Sequence, residues 1–319
     1  MVACWDESPF SEPHPHCPTT FIYWLFNVGK AQDNNMKVAC GNLAILIPSS
    51  FGSEERDMRI RTFKLGQVAR TASVFRVDEI YIYGGEAHDD SRLIDFVLRY
   101  AETPQYLRKL LFPKRRELEY AGVVPPLRTP HHPTVSDSSE TRVGEFRAGV
   151  VTKVGTDGSA WVELGLECPA LLKNPEGAKA GQRVDVRVFS KRPLVVERVE
   201  REQIPSYWGY TTHVCGPLHE TLSAMRAQGR WILGTSRRAK RLDTETLAAL
   251  GEHLKGRACV VFGSQKKGID QMLQPHAGDG WERYLDEVLN TIPNQGTHTV
   301  RAEEAVIATL ALLNIVRPR

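Results

Sequence analysis

Five consecutive apolar residues, Leu43-Ala44-Ile45-Leu46-Ile47, decide the fold class of this 319-residue chain. They leave no polar face, which is typical of a strand in a parallel sheet that helices cover on both sides. Apolar residues then recur at steps of three and four between positions 65 and 75. This period predicts an amphipathic helix, and Ser53 with Glu54-Glu55 marks its N-terminus.

The same alternation of strand and helix continues on both sides of a long middle segment. A second strand at 79–83 ends at Gly84-Gly85, and a helix runs from Asp89-Asp90 through Tyr100 until Pro104 breaks the pattern. Late in the chain, strands are predicted at 231–233, 258–262 and 288–292, and helices at 243–254 and 300–314. Five strands with intervening helices predict a parallel α/β sheet, built from residues 37–103 and 205–319.

Residues 104–204 interrupt this domain with connecting segments and a change from helical to twofold period. Five short antiparallel strands, predicted at 145–154, 159–166, 168–173, 182–189 and 193–199, lie between Gly, Asp and Pro turns. They fit a small β-barrel of the OB type at about 143–200, which is a common nucleic-acid platform. Other small barrels and sandwiches share the pattern, and a structural spacer without a ligand stays open.

The first 36 residues are rich in Pro, His and Cys and keep no period, so we expect a poorly ordered extension. Cys4, His14, His16 and Cys17 match no common zinc module, and we therefore predict no metal site. Met36 is an alternative start, which the N-terminal mass of the native protein would test.

Composition is that of a globular protein, with 41 Lys and Arg against 38 Asp and Glu and 41% hydrophobic residues. The length suggests two domains, or one domain with a large insertion. The longest early apolar run, residues 19–28, is too short to span a bilayer, and no basic residue precedes it as in a secretory signal. Six scattered cysteines without a C-x-x-C pair predict a reducing, cytoplasmic protein.

Three glycine-containing turns follow apolar strands, at 234–236, 263–268 and 293–296. Ligands of open parallel sheets bind at the carboxyl ends of strands, where glycine lets backbone amides approach closely. No G-x-G-x-x-G follows the first strand and no P-loop occurs, so neither common nucleotide fingerprint is present. Each turn alone reads as an ordinary loop, and only their placement at one edge favours a ligand site.

Three segments resemble the SPOUT class of RNA methyltransferases, which have a trefoil-knotted α/β fold. They are residues 65–72 with Phe75, residues 260–264 with Gly268, and residues 292–299. The chain is most similar to the archaeal and eukaryotic subgroup with an inserted OB-like domain, over about residues 40–316. The resemblance implies that the knotted loops bind S-adenosylmethionine and that knot helices pair two subunits into a homodimer. The implied cofactor contacts are Thr235, Ser236, Phe262, Gly263, Ser264, Gly268, Ile292, Pro293, Asn294, Gln295, Gly296 and Val300.

Two arginines are the candidate catalytic residues on this resemblance. Arg70 lies where many relatives carry an arginine that contacts an RNA phosphate or the nucleophile. A solvent-exposed helix arginine without a catalytic role would give the same sequence pattern. Ribose-methylating relatives have Ser-Leu-Asn where this chain has Thr299-Val300-Arg301, which favours methylation of a base. Arg301 could orient the target or stabilise its anion, and a phosphate contact is equally open. Glu303 or Glu304 could act as a base, but glutamates in a first helical turn usually serve the helix dipole.

Basic clusters flank the predicted ligand edge and the insert, and such clusters neutralise RNA phosphates. A solvated basic face is the alternative, and for Tyr106 and His132 the alternative is packing at the domain junction. Candidate RNA contacts are Tyr106, Arg108, His132, Arg237, Arg238, Lys266 and Lys267.

The sequence thus predicts a homodimeric, SAM-dependent RNA methyltransferase that acts on a base in ribosomal RNA. A 2′-O-methyltransferase, an enzyme acting on transfer RNA and a non-catalytic RNA-binding assembly factor stay open. A dehydrogenase or other nucleotide-binding α/β enzyme is weakened by the absent phosphate fingerprint.

Overall fold

A computed structural model describes residues 41–85, 88–264 and 267–318. The predicted extension at residues 1–36, with its cysteines and histidines, lies outside the described residues. Within the described ranges, no helix has the length and apolarity needed to span a bilayer. The same ranges contain no group of three His, Cys, Asp or Glu side chains placed to hold a metal ion.

The described chain forms a parallel sheet with helices and a separate small barrel. The strands are β1 (Leu43–Pro48), β2 (Glu79–Gly84), β3 (Phe146–Val154), β4 (Ala160–Glu163), β5 (Ala170–Lys173), β6 (Arg183–Lys191), β7 (Leu194–Arg198), β8 (Thr211–Pro217), β9 (Trp231–Arg241), β10 (Ala258–Val261) and β11 (Glu287–Asn290). The α-helices are α1 (Met58–Val74), α2 (Ser91–Glu102), α3 (Gln105–Leu111), α4 (Leu218–Ala227), α5 (Thr244–His253), α6 (Ile269–Ala277) and α7 (Ala302–Val316).

The sheet has the strand order β11-β9-β10-β1-β2-β8, and every neighbouring pair is parallel. The predicted parallel α/β sheet is confirmed. The sixth strand, β8, was not expected, because its sequence Thr-Thr-His-Val-Cys-Gly-Pro has no apolar run and its residues are only partly covered at the sheet edge.

Strand β1 lies inside the sheet, and all six of its residues are buried. Leu43, Ile45 and Ile47 pack into the core that contains α1, α2, α5 and α7. Ala44 and Leu46 point to the opposite face and pack into the core beneath α4 and α6. The two-sided burial predicted from residues 43–47 is therefore present.

Helix α1 begins at Met58, and the N-terminus predicted at Ser53 is wrong. The carboxylate of Asp57 caps the helix by accepting a hydrogen bond from the Arg59 backbone N–H at 2.8 Å. Glu54-Glu55 instead binds the ammonium group of Lys64, which is buried. Burial opposes the charge of Lys64, but hydrogen bonds to these carboxylates raise its pKa above the ordinary value.

The inserted segment folds into a closed barrel with the strand order β3-β4-β5-β7-β6. The five predicted strands are present, but the expectation that all pairs are antiparallel is wrong, because β5 and β7 run parallel. Inward-pointing residues such as Val151, Val162, Leu172, Val186 and Val196 fill its core.

A buried carboxylate connects the barrel to the α/β domain. Glu102, at the end of α2, accepts hydrogen bonds from both terminal nitrogens of Arg183 on β6, at 2.6 and 2.9 Å. His131 Nε2 lies 3.0 Å from the same carboxylate. Burial alone would raise the pKa of the Glu102 carboxyl, but the Arg183 guanidinium and His131 hold it well below its usual range. Beside this pair, the indole N–H of Trp208 donates to Asp185 at 2.8 Å.

We expect Glu102→Gln to lower the free energy of unfolding by about 3 kcal/mol at pH 7, because it leaves Arg183 without its buried counter-charge. Urea unfolding followed by circular dichroism would measure the difference from the wild-type protein.

The Glu102→Gln difference should also depend on pH. A carboxyl whose pKa is lower in the folded state stabilises the protein fully above its unfolded pKa of about 4.3 and loses that contribution as pH falls. The difference from wild type should therefore shrink between about pH 5 and pH 3. Glu252→Gln, which removes an exposed partner of Lys255, is the control and should change stability by less than about 0.5 kcal/mol. If Glu102→Gln lowered the free energy of unfolding equally at about pH 5 and at about pH 3, the role of the Glu102 charge would be contradicted.

Candidate active site

A groove of about 290 Å³ opens at the edge formed by the carboxyl ends of β10 and β11 and by residues 235–238 in the middle of β9. Ligand sites of open parallel sheets are expected at such an edge. Nine of the twelve predicted cofactor contacts line it, and Pro293, Asn294 and Gly296 do not. The lining residues are Thr235, Ser236, Arg237, Arg238, Phe262, Gly263, Ser264, Gly268, Asp270, Gln271, Asn290, Thr291, Ile292, Gln295, Thr299, Val300, Ala302 and Ala305.

The first wall of the groove is the middle of β9, where residues of the strand leave their pairing with β11. The partner of β11 changes from Gly234 to Lys240 between two consecutive residues, so residues 235–239 are looped out of the ladder. Thr235 fixes the start of this loop, because its hydroxyl donates to the Val261 carbonyl at 2.8 Å. A Cβ at Gly234 would lie 2.8 Å from a methyl carbon of Leu285, so glycine permits this close approach.

The second wall is the turn that follows β10. The Ser264 hydroxyl accepts a hydrogen bond from the Lys267 backbone N–H at 3.0 Å. A Cβ at Gly263 would lie 3.1 Å from the Lys267 carbonyl oxygen, so this turn is closed tightly around glycine. The Gly268 N–H donates to the Gln271 side chain at 3.1 Å, which links the turn to α6.

The third wall is the segment between β11 and α7. Asn290 joins two walls, because its Oδ1 accepts from the Ile292 N–H at 3.1 Å and its Nδ2 donates to the Arg237 carbonyl at 3.0 Å. Gln295 Nε2 donates to the carbonyls of Thr297 and His298, at 2.9 and 3.2 Å. These side chains hold the segment that contributes Ile292, Gln295, Thr299 and Val300 to the groove.

Two arginine side chains line the groove on its first wall. Arg237 donates to the His298 carbonyl at 3.1 Å, and an Arg238 nitrogen lies 3.5 Å from a carboxylate oxygen of Asp270. Lys267 is exposed, whereas Lys266 lies outside the described residues. Among the described lining residues, Asp270 carries the only carboxylate.

Arg301 is exposed between two lining residues, Val300 and Ala302, at the N-terminus of α7. The two glutamates that follow it have structural partners. Glu304 accepts a hydrogen bond from the Arg301 N–H at 2.9 Å, which caps the helix. Glu303 lies 3.6 Å from the Lys64 ammonium group on α1. These contacts agree with the helix-terminus interpretation of the two glutamates.

Arg70 is not among the groove residues. Its guanidinium donates to the carbonyls of Pro126 and Leu127, in a segment that packs against α1. The approach is close, since a Cβ at Gly66 would lie 2.8 Å from a ring carbon of Pro125.

Tyr106, Arg108 and His132 lie together at the junction with the barrel and away from the groove. The Tyr106 hydroxyl donates to the Ala148 carbonyl at 2.7 Å, and burial raises the pKa of this phenol. Arg108 donates to the Thr103 carbonyl at 3.0 Å. His132 Nε2 lies 2.7 Å from the Glu102 carbonyl, and burial together with His131 lowers its pKa to about 4. Packing at the junction accounts for these contacts, and the predicted RNA contacts of the three residues stay untested.

Seven groove residues were not predicted. Three of them lie at the ends of elements whose bounds the sequence pattern does not define. Asp270 and Gln271 lie in the first turn of α6, and Asn290 is the last residue of β11. Helix α6 was not expected, because it is only nine residues long and contains Pro275. The seven are Asp270, Gln271, Asn290, Thr291, Thr299, Ala302 and Ala305.

Comparison with known proteins gives the family. A family model described as "Putative RNA methyltransferase" matches residues 42–313. An uncharacterized protein of Halobacterium salinarum is 38% identical over 289 residues, which cover 85% of this chain and 98% of that protein. An uncharacterized protein of Haloarcula marismortui is 37% identical over 287 residues, with coverage of 85% and 98%. The 28S rRNA (uridine-N(3))-methyltransferase of Homo sapiens is 29% identical over 308 residues, with coverage of 85% and 77%.

The match extends across both halves of the α/β domain and the inserted barrel, and it confirms the prediction of an RNA methyltransferase. The chain belongs to this family of RNA methyltransferases.

Proposed function

We propose that this protein transfers a methyl group from S-adenosylmethionine to N3 of a uridine in ribosomal RNA. The observation that carries the proposal is the groove at one edge of three adjacent parallel strands, where nine residues expected to contact the cofactor converge. The choice of uridine N3 is supported by the name of the human relative and by Arg301, which stands where ribose-methylating relatives have a shorter amide.

The lining of the groove fits S-adenosylmethionine in chemistry. Phe262, Ile292, Val300 and Ala305 offer apolar contact for an adenine ring, and Gly263, Ser264 and Gly268 bring backbone atoms to the same space. S-adenosylmethionine supplies a methyl group on a positively charged sulfur. The residues that would hold it are Thr235, Ser236, Phe262, Gly263, Ser264, Gly268, Ile292, Gln295 and Val300.

The chain's own residues would align the uridine and stabilise its anion. N3 of uridine carries a proton, which must pass to water before the nitrogen lone pair forms the new N–C bond and the C–S bond breaks. Arg301 beside the groove, and Arg238 on its wall, carry the positive charge that favours the anionic base. Alignment of nitrogen and methyl carbon supplies the rest of the acceleration. No general base is assigned to Glu303 or Glu304, because Lys64 and the Arg301 N–H occupy them.

We also propose that residues 291–301 and α7 thread through the loop at 234–243, as the expected trefoil knot requires. Two contacts support this path, Asn290 to the Arg237 carbonyl and Arg237 to the His298 carbonyl. A Cβ at Gly251 on α5 would lie 3.1 Å from the Val316 carbonyl oxygen, so α7 packs closely against α5.

The homodimer remains our proposal, and exposed apolar stripes on α1 and α7 support it. Ile60, Phe63 and Val74 recur at helical spacing on α1 and are about half exposed. On α7, Ile307 is 49% and Ile315 73% exposed. The two helices lie side by side, since Glu303 contacts Lys64 near their starts and Arg317 donates to the carbonyls of Phe75 and Arg76 near their ends. Paired exposed apolar stripes of this kind mark interaction sites.

The proposed OB type of the barrel rests on its topology. Numbered along the insert, its strands have the order 1-2-3-5-4, and the pair 3–5 is parallel. A five-stranded Greek-key barrel of this kind is the OB architecture.

Gly263→Val should weaken S-adenosylmethionine binding at least about tenfold, because the larger side chain enters both the groove and the tight turn. Isothermal titration calorimetry with the full chain would measure the affinity. Gly122→Ala is the control, since a Cβ there meets no atom within 4 Å. Equal affinity in the two variants would contradict the cofactor assignment.

Arg301→Ala should lower the rate of methyl transfer at least about tenfold while leaving S-adenosylmethionine affinity within about twofold, because its charge acts on the base anion. Labelled methyl transfer to ribosomal RNA from cells lacking the protein, followed by nucleoside mass spectrometry, measures the rate and the product. Arg92→Ala, an exposed position on α2, is the matched control. Label in a ribose, or no transfer by the wild-type protein, would overturn the proposed function.

Phe63→Asp and Ile307→Asp should each convert a dimer of 35.8-kDa chains into a monomer, because a carboxylate in an apolar interface is not solvated. Sedimentation velocity measures the state. Val143→Asp is the control, because Val143 is exposed but belongs to the barrel segment. A monomeric wild-type protein, or dimeric variants, would contradict the interface.

A further inference from the structure

The outer wall of the barrel carries a row of lysines and apolar rings that the proposed function does not use. We call it the lysine–aromatic strip, and it consists of Lys153 on β3, Trp161 on β4, Leu171 and Lys173 on β5, and Phe189 on β6.

Strand pairing makes the strip continuous. Lys153 is the register partner of Trp161, and its ammonium nitrogen lies 5.7 Å from the ring centroid. Trp161 is in turn the partner of Leu171. Lys173 stands two residues further along β5, hence on the same face, and its ammonium nitrogen lies 3.6 Å from the Phe189 ring centroid. The strip crosses three strand spacings from β4 to β6, about 14 Å.

The strip is accessible and takes no part in the domain junction. Phe189 is 49% exposed, Leu171 36% exposed and Lys153 exposed, whereas Trp161 and Lys173 are half-buried. The junction uses other positions of the barrel, Ala148 on β3 and Arg183 and Asp185 on β6.

Both lysines of the strip are available for an anion. In the part of the chain that the structure describes, no carboxylate lies within ion-pair distance of Lys153 or Lys173. Glu197 is the register partner of Lys173 on β7, but its carboxylate binds Arg187. The strip therefore offers positive charge next to each of its two aromatic rings.

We propose that the lysine–aromatic strip binds single-stranded RNA that flanks the methylation target, an inference that rests on the proposed function. Lys153 and Lys173 leave the ring faces over which they lie and neutralise phosphates, so that bases stack on Trp161 and Phe189. Stacking of this kind tolerates any base, so the strip holds RNA without selecting its sequence. Lysine is depleted in the cores of protein–protein interfaces, which favours RNA over a protein as the occupant.

The test is binding of a fluorescent oligouridylate of about eight nucleotides to the full chain, followed by anisotropy at several salt concentrations. Phe189→Ala should weaken binding at least about fivefold, through the loss of one stacked base. Lys173→Ala should reduce the slope of log affinity against log salt by about 0.7. Val143→Ala and Lys179→Ala are the matched controls, an exposed apolar residue and an exposed lysine of the same insert outside the strip.

Thermal unfolding and S-adenosylmethionine titration of each variant separate the two proposals. If folded Phe189→Ala and Lys173→Ala keep the affinity and salt slope of the controls, the strip does not bind RNA, and the proposal is wrong. A second outcome is that both variants lose RNA affinity as expected while the wild-type protein neither binds S-adenosylmethionine nor transfers methyl groups. RNA binding by the strip is then supported, and the proposed function is wrong.

Discussion

The burial of β1 on both faces is the constraint on which the rest of the molecule depends. Its backbone groups have no access to water, so they must pair with β2 on one side and β10 on the other. This pairing joins the start of the described chain to its last third across the inserted barrel. It also sets β9 and β11 beyond β10, so that the three strands lie side by side at the groove. The groove is thus a consequence of where an apolar strand must lie.

Much of this architecture follows from local sequence pattern. The unbroken apolar run of β1 and the helical spacing of apolar residues in α1 each predict which residues are buried. The exceptions are positions where a distant partner decides. Glu54-Glu55 looks like a helix start, yet these carboxylates bind Lys64, which lies a turn and more into the helix. The β8 edge strand lacks an apolar run because half of its environment is solvent. The parallel pairing of β5 with β7 depends on closure of the barrel, and alternation within a strand does not encode its neighbour.

The groove was predictable to the extent that it is built from glycine turns after strands. Asp270 and Asn290 escaped prediction because their contribution depends on which loops meet in space, and Asn290 joins loops more than fifty residues apart. Sequence reasoning also placed Tyr106, Arg108 and His132 toward RNA because of their residue types. In the structure their polar atoms satisfy backbone carbonyls at the domain junction. An aromatic or basic residue in sequence does not reveal whether its surroundings are solvent or another layer of the protein.

The buried pair of Glu102 and Arg183 has a consequence for how such an enzyme would choose its substrate. Rotation of the barrel about α2 would separate the Arg183 guanidinium from the buried Glu102 carboxylate and leave the carboxylate without its counter-charge. The barrel is therefore held at one orientation relative to the groove. With RNA on both surfaces, the number of nucleotides between them would be set by this rigid spacing. Under the proposed function, the protein would then select its target nucleotide by the distance from a bound single strand rather than by the bases around the target.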